Sequence, residues 1–280
     1  LGDVAAGLSA GLCLVGGAVR DALTGAGGID LDLVADGDAG RIARRAAAEL
    51  GADCVEHGAF RTFVLDLPSG ARVDIAAARS ETYSRPGALP KVSPASIARD
   101  LHRRDFTVNA MAVSVLPDTF GELKDPFGGM ADLDAQALRV LHDDSFTDDP
   151  TRMLRGMRFC ARFGFDFEPG TKSLLEEALR GRALDTVSGA RIRKEIMTGF
   201  DDDERRRFAA VLRRFGAGGW LARDFRFSMD LYCPWDAAAK SRIELAGAGG
   251  LAPARALEGV AAACYGNSDA AAAALAARLE

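Results

Sequence analysis

The sequence lacks the arrangements by which cysteine and histidine usually build a site. Its five cysteines, Cys13, Cys54, Cys160, Cys233 and Cys264, lie far apart and form no C-x-x-C. Their odd number and scatter argue for reduced, mostly buried thiols and against a disulfide framework or a zinc site. The three histidines, His57, His102 and His142, show no metal-ligand spacing and read as structural. No G-x-x-x-x-G-K-[ST] occurs, which excludes a P-loop. Positive charge is not in surplus: the formal charge is −5 over 280 residues. Any contact with nucleic acid must therefore come from a local basic face. After the first residues, no run of about 18 apolar residues is free of charge, so no membrane span is expected. The nearly uncharged Val4–Val19 has no basic stretch ahead of it and reads as a helix and a buried strand, not a signal peptide. Reduced thiols without an export signal fit a cytoplasmic location, and no partner protein is indicated. The first residue is Leu, not Met, which implies a trimmed N-terminus.

What is present is an ordinary globular composition, 27% charged and 48% hydrophobic with a lean on alanine. It suits a soluble, helix-rich chain of one or two domains. The most informative stretch is Leu14–Val34: an apolar run, Gly16-Gly17, a short helix carrying Arg20, and a second apolar run holding Asp30 and Asp32. Alternation along a strand puts Asp30 and Asp32 on one face and Leu31 and Leu33 on the other. Two carboxylates on one edge repel unless a cation lies between them, and Mg²⁺ with phosphate is the usual solution. A glycine pair lets backbone N–H groups approach an anion, and Arg20 offers a fork for phosphate. Each part taken alone also fits a solvated strand edge or a plain turn; their order favours the site.

Further along, Asp38–Leu50 has helical spacing and stops at Gly51. Phe63–Leu67 and Val73–Ala76, joined by Pro68-Ser69-Gly70, read as a hairpin. In it Asp74 faces away from Val73 and Ile75. It is either a third carboxylate beside Asp30 and Asp32 or a surface aspartate on an edge strand. Ser84–Ser96 holds three prolines and reads as a loop leading to a helix start at Ser96. His102–Ala112 mixes polar and apolar residues too densely for a surface helix, although an Arg–Asp ion pair at a helix entry would also explain it. Asp125–Gly129 is a turn and Leu138–Leu141 a short strand. Beyond Asp148 the pattern is helical, and the domain boundary falls near residues 141–147.

The second informative stretch is Asp148–Phe159. Acidic residues and Pro150 open a helix. Asp149, Arg152, Arg155 and Arg158 recur every three residues along one flank, with Met153, Leu154, Met157 and Phe159 on the buried side. Arginines aligned on one face repel unless they hold an anion. An Asp and an Arg held together can also present an acceptor and a donor to a base edge.

These stretches resemble the class II tRNA nucleotidyltransferases, the CCA-adding enzymes, and the related bacterial poly(A) polymerases. The resemblance covers about residues 12–200: Leu14–Val34, RRDFTVNA (Arg103–Ala112 region), DPFGGMADL (Asp125–Leu133), DDPTRMLRGMR (Asp148–Arg158) and DTVSGARIRKE (Asp185–Glu195). It implies an α+β chain: a nucleotidyltransferase (DNA polymerase β-like) head with a mixed sheet over 1–141, a helical neck over 142–200, and a short helical body over 201–280. It implies two Mg²⁺ ions held chiefly by Asp30 and Asp32; Asp74 stands beside them as a further catalytic candidate from the strand reading. Gly16, Gly17, Arg20 and Arg104 would contact the incoming nucleotide, and Arg155 and Arg158 its phosphates or sugar. Asp149 and Arg152 would pair with the base of CTP or ATP, and the RNA partner would be a tRNA 3′ end. The implied activity is template-independent addition of C and/or A, as a full CCA-adding enzyme or as half of a split pair. A poly(A) polymerase and a non-catalytic RNA-binding relative are the alternatives. Asp148 stands where the family usually has Glu, and Arg61 where glycine is common. Only about 80 residues follow the last motif.

Overall fold

The computed structural model describes residues 1–25, 30–57, 62–201, 204–216 and 219. The chain divides into two compact units. The first comprises Leu1–Ser84, Leu89–Ala135 and Arg139–Leu141; the second comprises Arg85–Ala88, Gln136–Leu138 and the chain from His142 onward.

The first unit is built on a seven-stranded mixed sheet. After a short helix, α1 (Gly2–Gly7), strand β1 (Gly11–Val15) leads through Gly16 into α2 (Gly17–Leu23). Strand β2 (Leu31–Asp36) then returns antiparallel to β1. Helix α3 (Ala39–Leu50) begins where the Asp38 carboxylate accepts the Arg41 N–H at 3.0 Å, and ends at Gly51 in the left-handed conformation. Such a cap satisfies an orphan donor of the first turn. Its Ile42, Ala43, Ala46 and Ala47 are buried, while Arg41, Arg44 and Arg45 are exposed, as the spacing dictates. Strands β3 (Asp53–His57), β4 (Thr62–Asp66) and β5 (Arg72–Ala77) form a meander, and β5 then pairs parallel with β2.

Two cores cover the two faces of this sheet. Leu12, Leu33, Ala35, Phe63, Leu65, Val73 and Ile75 pack with α1 and α3 on one side. On the other, Cys13, Val15 and Val34 pack with Ala78, Ile97 and Leu101. Burial lifts the Cys13 thiol above its ordinary range, so this cysteine is a core residue.

Ser84–Ser96 is only partly a loop. β6 (Arg79–Thr82) pairs antiparallel with β7 (Lys91–Pro94), with Arg79 opposite Pro94. In a two-stranded ladder both strands are edges, where proline's missing N–H costs no ladder bond. Helix α4 (Ile97–His102) follows, then β8 (Ala112–Ser114) on the free side of β1, β9 (Leu123–Lys124), and α5 (Gly129–Asp134).

In the second unit the expected strand at Leu138–Leu141 is shorter and displaced. β10 (Ala137–Leu138) pairs with β11 (Asp166–Phe167), which interrupts the otherwise helical pattern. Val140 belongs to the first unit, where it bridges to Phe106. The remaining elements are α6 (Ser145–Asp148), α7 (Thr151–Phe163), α8 (Pro169–Arg180), α9 (Gly189–Asp201) and α10 (Arg205–Arg214). Of the expected body over 201–280, α10 carries the arginines Arg205, Arg206, Arg207, Arg213 and Arg214; most of the rest, with Cys233 and Cys264, lies outside the described residues, as does Arg61. Among the described residues no helix is long and apolar enough to cross a membrane.

Candidate active site

In the first unit, three carboxylates come to one edge of the sheet. Parallel pairing of β2 with β5 sets Asp32 directly opposite Asp74, and Asp30 immediately precedes β2. Asp30, Leu31, Asp32, Arg72 and Asp74 line an open cleft. Asp32 is exposed at its rim but backed by protein. Burial of that inner side, and then repulsion from Asp74, push its carboxyl above the usual range, against the pull of Arg104. Asp74 also accepts a long hydrogen bond from Arg72 Nε at 3.3 Å.

Arg104 approaches from the end of α4. Its Nη2 donates to Asp100 Oδ2 at 3.0 Å, and Asp100 is wholly buried. The other Asp100 oxygen accepts from Arg103 Nε and Nη2 at 3.0 and 2.8 Å and from the Arg79 N–H at 3.3 Å. Arg104 Nε is buried without a hydrogen-bond partner among the described residues. Burial drives the Arg104 pKa down and Asp100 opposes the shift. Gly16 has φ +70°, and a Cβ there would lie 2.5 Å from Arg104 Nη1. Glycine suits this position for its backbone conformation, and any Cβ here would displace the end of the Arg104 side chain.

Arg20 is 5% exposed, and its guanidinium is engaged by protein groups. It donates to Asp21 Oδ1 through Nε at 2.9 Å and to Asn109 Oδ1 through Nη1. Asn109 Nδ2 in turn donates to Asp105 Oδ1 at 2.9 Å. Thr107 Oγ1 donates to Asp132 Oδ2 at 2.7 Å, and Asp132 also holds Arg139. The dense polar residues of the Arg103–Ala112 stretch therefore form buried hydrogen-bonded networks, together with the Arg–Asp ion pairs at the helix end.

In the second unit, α7 starts later than its sequence pattern implies. Asp148 ends α6, and Asp149 has extended backbone outside both helices. Asp149 therefore does not share the α7 flank with the arginines. Its Oδ1 accepts the Thr151 N–H at 3.0 Å, the Thr151 hydroxyl at 2.6 Å and Arg191 Nη2 at 2.7 Å. Arg152 is 5% exposed, and its Nη1 donates to Ser145 Oγ at 2.7 Å. Asp148 has its carboxyl raised by burial, with His142 and Arg152 opposing the shift.

Arg155 and Arg158 share a counter-ion that sequence reasoning missed. Glu195 of α9 stands 4.0 Å from Arg155 Nη1 and 3.8 Å from Arg158 Nη2. Both guanidinium groups also lie over the Phe159 ring. Burial raises the Glu195 carboxyl despite the two arginines. The signal for Glu195 and Arg191 lay in the ARIRKE run, but nothing in its spacing names α7 as its partner.

A mixed sheet with paired carboxylates at one edge and a glycine turn beside them is the head fold of a nucleotidyltransferase. Residues 12–139 match the Poly A polymerase head domain. The chain is 46% identical over 199 residues to an A-adding tRNA nucleotidyltransferase of Halalkalibacterium halodurans, covering 70% of this chain and 46% of that one. It is 38% identical over 216 residues to a CC-adding tRNA nucleotidyltransferase of Deinococcus radiodurans, covering 77% of this chain and 57% of that one. Among solved structures, a tRNA nucleotidyltransferase complexed with a primer tRNA and an incoming ATP analog superposes with a TM-score of 0.74 at 31% identity, covering 87% of this chain and 68% of that chain. The chain belongs to the family of tRNA nucleotidyltransferases and poly(A) polymerases. It spans about half the length of the two curated relatives.

Proposed function

We propose that this chain carries the catalytic part of a template-independent nucleotidyltransferase that adds A and/or C to tRNA 3′ ends from ATP or CTP. The observation that carries the reaction is the Asp32–Asp74 register with Arg104 nearby. The 3′-oxygen of the RNA attacks the α-phosphorus, the bond to the β-phosphate oxygen breaks, pyrophosphate leaves, and the hydroxyl proton passes to Asp74 or to solvent. Mg²⁺ would be held by Asp30 and Asp32. Among the described residues no group of three or more His, Cys, Asp or Glu side chains forms a ready-made cage. That suits Mg²⁺, which usually takes one or two carboxylates and completes its shell with substrate phosphates and water. Bound there, the ions would lower the pKa of the attacking hydroxyl and neutralise the leaving group.

The chain's own residues position the nucleotide. Arg104 has a buried Nε without an acceptor among the described residues, beside the Gly16–Gly17 turn, and its guanidinium is suited to a phosphate. Arg20 braces that turn through Asn109 and supplies charge. In the second unit Arg155 and Arg158 offer cations for phosphate or sugar. Asp149 keeps Oδ2 without a hydrogen bond among the described residues, and Arg152 is the donor of the pair. Cytosine and adenine both present an amino group on the edge that pairs, whereas uracil and guanine present a carbonyl there. One acceptor and one donor therefore select C and A together.

The higher identity to the A-adding relative makes addition of A the first step to test. The experiment is primer extension with Mg²⁺ and one nucleotide at a time, on tRNA transcripts ending at the discriminator base, at C and at CC. ATP incorporation on the CC transcript alone identifies an A-adding enzyme. CTP then ATP identifies a CCA-adding one, and CTP alone a CC-adding one. Long A tails would identify a poly(A) polymerase, and no incorporation on any transcript would overturn the proposal.

A further inference from the structure

We propose that Arg191 is a specificity-determining residue that locks one oxygen of Asp149, leaving the other as the sole open acceptor. The inference rests on the base-reading role of Asp149 proposed above. Arg191 lies in the first turn of α9, and its guanidinium makes two directed bonds. Nη2 donates to Asp149 Oδ1 at 2.7 Å, and Nη1 donates to the Gly87 carbonyl at 3.1 Å. The Gly87 end is itself fixed. Its N–H donates to the Thr147 carbonyl at 3.2 Å, its φ is +67°, and a Cβ there would collide with Thr186. A planar guanidinium held at both ends has little freedom to follow a moving carboxylate.

Arg191 and Thr151 together bring three donors to Oδ1, whereas Oδ2 has none among the described residues. This asymmetry matters for rejection as much as for acceptance. A carboxylate oxygen with a fixed direction repels the carbonyl that uracil or guanine would bring. A carboxylate free to rotate can turn away, or take a water between itself and that carbonyl, and the repulsion is relieved. Discrimination against a wrong partner commonly depends on such a built-in clash. Arg191 therefore acts through Asp149 as a positioning residue, and its loss should admit UTP and GTP more than it weakens CTP and ATP.

The test is calorimetric titration of the chain with each of ATP, GTP, CTP and UTP in Mg²⁺, for the wild type, Arg191→Ala and Arg191→Lys. The expected result is a fall of about tenfold in the ATP-over-GTP and CTP-over-UTP affinity ratios for Arg191→Ala, mostly through tighter GTP and UTP binding. Arg191→Lys keeps a charge beside Asp149 but cannot span to Gly87, so its ratios should fall between the two. It also provides the reading if the Ala variant fails to fold. Equal weakening of all four nucleotides, with ratios unchanged in the folded variants, would overturn the inference while leaving base reading by Asp149 in place. A wild type that does not discriminate would overturn both.

Discussion

Asp32 and Asp74 are register partners on neighbouring parallel strands, so their carboxylates stand side by side on one face of the sheet. The fold gains nothing from this pairing. Asp32 is held above its ordinary pKa by burial and by Asp74, which means that its charge is a cost in the absence of a cation. Asp32→Asn should leave the melting temperature unchanged or raise it by a few degrees, yet reduce nucleotide incorporation by at least about a hundredfold. Thermal unfolding and primer extension on the same preparation check both halves. Retained incorporation would remove Asp32 from the proposed metal site.

Asp100 should behave in the opposite way. It is the counter-ion of both Arg103 and Arg104 and has no solvent exposure. Asp100→Ala would leave two largely buried guanidinium groups without it, at a cost of about 3 kcal/mol. A lower urea midpoint is the direct measure. Nucleotide affinity should weaken in the same variant, because Arg104 loses the bond that aims it. A variant with wild-type stability would contradict the buried pairing.

Arg152→Ala should blur the choice among the four nucleoside triphosphates more than it slows transfer of the correct one. Removing the donor of a donor–acceptor pair relaxes recognition by roughly 1–3 kcal/mol per contact. Competition between ATP and GTP in single-nucleotide extension reads this directly. An unchanged preference would take Arg152 out of base reading.

Glu195 gives a pH signature. Burial is the main cause of its raised pKa, and Arg155 and Arg158 only partly offset it. Because its folded pKa lies above the ordinary 4.5, the folded state holds the proton more tightly than the unfolded chain. The stability this group contributes is full below pH 4.5 and is lost as pH rises through the folded pKa. Glu195→Gln cannot titrate, so its stability relative to wild type should improve as pH rises from about 4.5 toward neutrality. Urea denaturation of the two proteins across that range provides the comparison. A constant difference would show that the Glu195 pKa is not raised by folding.

The first strands and helices were legible because their signals are local. The Gly51 stop, the buried face of α3 and the β4–β5 hairpin all follow from residues within a few positions of one another. The face of Asp74 was equally local, but its neighbour was not. Alternation assigns a side chain to a face, and only the parallel pairing of β2 with β5 put Asp32 beside it. The same limit hid Glu195 and Arg191, whose partners lie on other elements. The three prolines of Ser84–Ser96 signal a loop, yet β7, which holds Pro94, forms there because it is an edge. Spacing alone aligns Asp149 with Arg152 on a helix flank. An extended residue between α6 and α7 breaks that alignment and turns the carboxylate toward Thr151 and Arg191.

The position of β1 also sets a timetable for synthesis. Its neighbours in the sheet are β2 on one side and β8 on the other. Until Ala112–Ser114 emerges from the ribosome, the apolar Leu12–Val15 segment presents an open ladder on the growing polypeptide. Unpaired edges of this kind are where nascent chains stick to one another. Three residues of β8 close that edge, so β1 is paired on both sides only once Ser114 has been added to the chain.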